Sequence, residues 1–351
     1  MTLVGRVSCV GLLAVALLGA AISLGVVRPA HAAQNATAPI VVRYASVGGT
    51  TDAALYIGQD FGIFRDAGID FRYRRLDSAA ALLGAIATDQ LDVAGISLTP
   101  GLFASIQRGV NLRIVGDKES ILKDFAATQL LARPEYAGGT TADVLRRLKG
   151  KTIAVSGRTS VSFFLLGTLL KKYGMTTKDV RVVELTYSAQ IVAFPNRAID
   201  AGVMLEPFLS QAVANGDAVA VSDFVEIVPA VGASIVPIIY SEKFARDRRA
   251  GDAFMTAYLR AVHIYMDAFR KNRGKERVIA SVAKHTGFSA KIIRDGNPVG
   301  FSPDQEVNIL FLDQAQRFHV EQGFLREPID VRRLVDPSFA RAAVRAVGAY
   351  R

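Results

Sequence analysis

The sequence predicts an α/β protein of two similar units, the second inserted into the first, followed by a helical C-terminal region. Three observations predict it. Strand-like apolar runs alternate with helix-length segments through the first two thirds of the chain. The alternation lapses after residue 115 and restarts near residue 127. Beyond residue 240 only helical patterns follow. Strands separated by helices of this length make a parallel sheet covered on both faces.

The elements justify themselves in order. Residues 40–45 form an apolar strand, and Ser46-Val47-Gly48-Gly49-Thr50-Thr51-Asp52 a loop. Residues 53–64 read as a helix with Leu55, Ile57 and Phe61 buried. Ile69, Phe71 and Tyr73 alternate as a second strand, and Ser78 caps a small-residue helix to Thr88. Residues 93–96 and 112–115 are short strands around a helix at 98–107 that Gly109 ends. In the second unit, strands at 127–132, 152–155, 180–185, 201–205 and 218–221 alternate with helices at 141–148 and 160–173. The last strand is 234–240. Helices at 252–271, 277–286, 289–294, 305–322 and 338–347 complete the chain. We expect crossings between the units near 117–127 and 228–234. That makes residues 39–124 with 232–351 one discontinuous domain and 125–231 the other.

The first 34 residues have the layout of a secretory leader: a lone Arg6, an apolar run over 7–27, and Ala30-His31-Ala32. This predicts cleavage after Ala32 and a periplasmic protein. An uncleaved anchor is the competing reading, because about 20 apolar residues suffice to span a bilayer. Cys9 opens the apolar run instead of following it, so it is not a lipoprotein cysteine. The mature chain then has no thiol, which excludes disulfides, thiol nucleophiles and cysteine-ligated metals. The formal charge of +10 falls to +8 without Arg6 and Arg28. Such a balance gives solubility or attraction to anions. Its spread along the chain does not suggest nucleic acid.

Seven segments carry a family resemblance. The first is 56–70, reading YIGQDFGIFRDAGID. The others are Leu91-Asp92-Val93-Ala94-Gly95, residues 109–116, residues 148–155, Ile199-Asp200-Ala201-Gly202, Glu206-Pro207-Phe208 and Leu334-Val335-Asp336-Pro337. In order and spacing they resemble the nitrate/sulfonate/taurine group of ABC-transporter substrate-binding proteins, which includes the thiamine pyrimidine-precursor binders. The resemblance implies a type II-like, two-domain periplasmic-binding-protein fold. It implies a monomeric receptor that closes on a small molecule and delivers it to an inner-membrane permease and its ATPase. Pro195 departs from the family pattern and should end or kink the helix before Ile199.

Ligands of open α/β sheets bind beyond the carboxyl ends of the strands. This directs attention to Ser46, Gly48, Gly49, Thr50 and Thr51 in the first loop, where glycines and hydroxyls precede a helix. The family uses this position for ligand; an ordinary turn and cap is the alternative. Ser97 and Thr99 occupy the same place after a later strand, as donors or as caps. Lys118 is a point charge for an anion or a solvated hinge residue between Asp117 and Glu119. In the second unit Ser156, Arg158, Thr159 and Ser160 combine a Gly, three hydroxyls and one fixed cation, a set suited to an oxyanion. Arg158 should outweigh Lys118 in binding. Tyr187 lines the cleft or packs in the core, and Glu206 accepts from a ligand or caps a helix.

Catalytic signatures are missing. His263, His285 and His319 have no metal-ligand spacing, and no P-loop, G-x-G-x-x-G, H-E-x-x-H or G-x-S-x-G occurs. No cofactor or metal is expected. The hydroxyl-rich helix starts and Arg158 point to a sulfonate, nitrate or other small organic anion. Glu206 points instead to an amine-bearing or aromatic heterocycle such as a pyrimidine. A sensory ligand-binding protein remains open. A pyrimidine-synthase-like enzyme is disfavoured by the absent cysteines.

Overall fold

The computed structural model describes residues 38–351. The expected leader and its cleavage site lie outside the described residues. The first half of the chain runs β1 Ile40–Ser46, α1 Ala53–Asp60, α2 Ile63–Asp66, β2 Ile69–Arg75, α3 Ala79–Ala87, β3 Val93–Gly95, α4 Pro100–Gln107 and β4 Leu112–Ile121. It continues through β5 Thr128–Ala132, α5 Thr141–Arg147, β6 Thr152–Val155, α6 Val161–Lys172, β7 Arg181–Glu184, α7 Tyr187–Ala193, β8 Ala201–Leu205, α8 Phe208–Ala214 and β9 Val219–Ser222. Last come β10 Ala233–Ser241, α9 Glu242–Arg246, α10 Arg248–Arg270, α11 Lys275–Thr286, α12 Ala290–Asp295, α13 Ile309–Glu321 and α14 Ser338–Val347.

These strands build two five-stranded sheets. The first has the order β2-β1-β3-β10-β4 and the second β7-β6-β8-β5-β9. In the first, β1 is parallel to β2 and β3, while β10 runs antiparallel between β3 and β4. The second repeats the plan: β6 is parallel to β7 and β8, and β5 is antiparallel to β8. Every strand of the second sheet therefore lies between β4 and β10 in sequence. This is the two-domain α/β fold with an inserted second domain.

Local chemistry explains most boundaries. Val42, Tyr44 and Ala45 on β1 are fully buried, as a strand covered on both faces requires. Ser78 Oγ accepts from the Ala81 N–H and Thr99 Oγ1 from Leu102, so both act as helix caps. Thr140 and Asp143 form a reciprocal capping box on α5. The single helix expected over 53–64 is two: Gly62, at φ 76°, turns the chain between α1 and α2. β4 runs to Ile121, so residues 117–121, expected at a crossing, are sheet. Helices α7 and α8 had no bounds from the sequence; α7 stops at Ala193, ahead of Pro195.

Helix α13 joins the two halves. Its Phe318 packs on Phe163 and Phe164 of α6, with ring centroids 5.3 and 5.6 Å apart, and Phe311 lies 5.3 Å from Phe164. The same buried cluster takes in Ile114 and Ile239 of the first sheet and Leu130 and Ile153 of the second. Its apolar core is thus continuous. Among the described residues no helix is long and apolar enough to cross a membrane.

Candidate ligand-binding cleft

The first loop leaves the carboxyl end of β1. Its centre is Asp52, fully buried, whose carboxylate accepts from Tyr44 at 3.2 Å, Tyr73 at 2.9 Å and Ser46 Oγ. Lys118 Nζ lies 3.0 Å from Asp52 Oδ1 and donates to Thr51 Oγ1 at 2.6 Å. Ser46, Thr51 and Lys118 are therefore engaged within the protein. Lys118 is 1% exposed, which corrects the expectation of a solvated hinge side chain. A buried charge needs an opposite partner, and Asp52 is that partner.

The rest of this loop is differently placed. Gly48 and Gly49 have φ of 83° and 102°, the left-handed region that a side chain disfavours. Thr50 Oγ1 is buried without a hydrogen-bond partner. Ser97 is half-buried. Thr99 is a helix cap and also lines a space of about 660 Å³ with Ser78, Arg108 and, from the second sheet's side, Thr159. The rest of its lining is the facing sides of α3 and α4, Ala80, Leu83, Gly84 and Ser105 among them.

In the second half the expected oxyanion cradle does not converge. Arg158 turns back along its own sheet, donating to Val182 O at 2.9 Å and lying 3.7 Å from Glu184 Oε1. Ser160 Oγ donates to Gly157 O at 2.6 Å, and Ser156 Oγ lies 3.0 Å from Ser162 Oγ. Thr159 alone of the four is exposed and unengaged among the described residues. Tyr187 stacks beside Phe208 at 6.0 Å. Burial pushes its phenol up; a bond to Ser156 offsets this, and the charge of Glu119 adds to it.

Glu206 is buried and fully engaged. Its carboxylate accepts from Ser210 Oγ at 2.7 Å, Asn297 N at 2.8 Å and Asn297 Nδ2 at 2.6 Å. It is at once a cap for α8 and a latch to the segment before α13, which is itself pinned to β4 by the Ser120–Gly300 bridge.

Two functional candidates escaped the sequence. Arg75 ends β2, lies beside Gly48 and is exposed. Glu119, next to Lys118, is buried with one hydroxyl partner, Thr128 Oγ1 at 3.3 Å. Burial is the main cause that pushes its carboxyl up to about 7, against the pull of Lys118. Asp117 is pushed up to about 6 in the same way. Alternation along β2 was the available signal for Arg75. Nothing in the sequence separates Glu119 from an exposed acid. The histidines serve packing: His319 bonds Leu98 O at 3.0 Å and His285 stacks on Tyr56. Among the described residues no group of three His, Cys, Asp or Glu is placed to hold a metal.

Comparison with known proteins bears directly on this arrangement. The sequence model of the family described as NMT1/THI5 like matches residues 50–268, more than half of the chain. The chain belongs to the NMT1/THI5 like family. Solved structures share its fold. The periplasmic aliphatic sulphonate binding protein SsuA from Escherichia coli superposes with a TM-score of 0.69 at 19% identity, covering 86% of this chain and 99% of that one. The periplasmic nitrate-binding protein NrtA from Synechocystis PCC 6803 gives 0.66 at 14% identity, covering 88% and 89%. The desulfurization enzyme DSZB gives 0.61 at 15% identity, covering 88% and 99%. No curated sequence matches the chain significantly. The NMT1/THI5 like chain therefore shares one fold with two binding proteins and an enzyme.

Proposed function

We propose that this protein is the periplasmic solute receptor of an ABC importer. It captures a small anion of the sulfonate or nitrate class between its two α/β halves and hands it to a membrane permease. The observation that supports this most is the cleft itself. The helix starts that follow β3 and β6 come together there, with Thr99 on one side and Thr159 on the other, beside an open groove along α3 and α4. The ligand contacts we assign are the Gly48–Gly49 backbone, Thr50, Ser97, Thr159 and Tyr187. No bond is made or broken: the described residues hold no cysteine, and the histidines pack against the protein.

A second reading rests on Glu119. A buried carboxyl with one hydroxyl partner favours a ligand that brings a hydrogen-bond donor or a cation, such as an amine-bearing heterocycle. Thermal melting of the purified protein with alkanesulfonates, nitrate and aminopyrimidines separates the two. A ligand at about 100 times its Kd adds about 2.7 kcal/mol of stability. Stabilisation by sulfonate or nitrate alone supports the first reading, and by aminopyrimidine alone the second. Turnover of any of them would overturn both.

A further inference from the structure

We propose that Arg75 is the cation that captures the ligand's oxyanion, a role the sequence pattern gave to Arg158. The inference rests on the anion reading above. Arg75 is the last residue of β2, in register with Ser46 at the end of β1, and so stands at the carboxyl edge of the parallel strands. Side chains alternate along a strand, which puts Arg75 on the same face as Tyr73. Its stem lies over the glycine turn: a β-carbon built on Gly48 would sit 3.2 Å from Arg75 Cδ and 3.4 Å from Nε. Gly48 therefore serves two ends. It permits the left-handed turn, and it leaves the seat that the arginine occupies.

The charge state of the neighbouring residues strengthens the assignment. Arg72, on the same strand, is paired with Asp70 at 2.7 Å. Lys118 is paired with Asp52, and Arg158 lies against Glu184. Arg75 has no hydrogen-bond or ion-pair partner among the described residues, although it adjoins a buried polar loop. Within that loop Thr50 Oγ1 is also without a partner. The connection that follows Arg75 reaches Ser78, which borders the same space as Thr159. A guanidinium at this rim offers a planar, two-pronged donor to a sulfonate or nitrate. The Gly48–Gly49 turn lies under its stem, and Thr50 follows in the same loop.

Calorimetric titration of the whole protein with ethanesulfonate and with nitrate tests this. Four forms are compared: the natural chain, Arg75→Gln, Arg75→Lys and Arg158→Gln. Losing a charge-assisted bond weakens binding roughly 10- to 100-fold, so Arg75→Gln should show that loss. Arg75→Lys should recover part of it, and Arg158→Gln should stay within about threefold of the natural chain. The ligand-free melting temperature of Arg75→Gln should not change, because the side chain is exposed and unpaired. Equal binding by Arg75→Gln and the natural chain overturns the assignment while leaving the anion reading intact. A lower ligand-free melting temperature, with no recovery by lysine, overturns it in favour of a structural role. If the natural chain binds neither probe, both the anion reading and the assignment fall.

Discussion

Lys118 shows how burial changes the meaning of a residue. Its neighbours Asp117 and Glu119 make it look like a surface charge, yet β4 carries all three inward. Removing one member of a buried pair leaves the other unpaired, at a cost of about 3–5 kcal/mol. Lys118→Met should therefore lower stability by that amount in urea unfolding. A loss under about 1 kcal/mol would mean that Tyr44, Ser46 and Tyr73 hold the Asp52 charge without help. Arg158→Ala should change stability by less than about 1 kcal/mol, since its ion pair is exposed. Glu119 and Asp117 make stability depend on pH. Both hold a proton more tightly folded than unfolded, with carboxyls raised from 4.5 to about 7 and from 3.8 to about 6. The folded state thus carries protons that the unfolded chain has released across this window. Stability is fully present below about pH 4 to 4.5 on this account, falls as pH rises to about 7, and levels off above. For Glu119 the fall is on the order of 3 kcal/mol. Urea midpoints at pH 5 and pH 8 should show it, and Glu119→Gln should flatten it; a midpoint higher at pH 8 would contradict the assignment.

Among the elements, α13 bears the most structural consequence. Phe318 fills the joint between α13 and α6, and Phe318→Ala should cost about 3–5 kcal/mol by opening a cavity there. Calorimetry checks this, and a cost near 1 kcal/mol would show that the joint collapses around the gap. Elements of this kind were legible in the sequence because their signals are local. Ser78, Thr99 and Thr140 announce their helices, and the alternation of Ile69, Phe71 and Tyr73 announces β2. The extension of β4 through Asp117, Lys118 and Glu119 was not legible. A charged triplet reads as a surface turn, and only β10 pairing alongside makes it sheet. The site was legible as loops but not as side-chain directions. Ser156, Arg158 and Ser160 sit where expected, yet two serines bond within their own turn and the arginine reaches back to β7. Arg75 went unnoticed because its role depends on what lies across from it, not on its neighbours in sequence.

At the scale of the whole molecule, the Glu206–Asn297 latch joins the two halves. Asn297→Ala should shift the ligand-free protein toward an open form, seen as a larger radius of gyration in small-angle scattering. Ligand at saturation should restore the smaller value. An unchanged radius in the variant would show that the latch does not govern closure. The placement of β10 between β3 and β4 has a further consequence, for the order of assembly. The first sheet cannot be completed until residues 233–241 exist, although most of its strands are made before residue 122. A chain emerging from its N-terminus must therefore hold four strands in waiting while the inserted sheet, whose strands all lie between 128 and 222, is supplied in one stretch. Closing so long a loop is slow, because its entropy is lost before the contacts form. The newly made outer half should stay accessible to protease until β10 arrives, whereas the inserted half gains protection first.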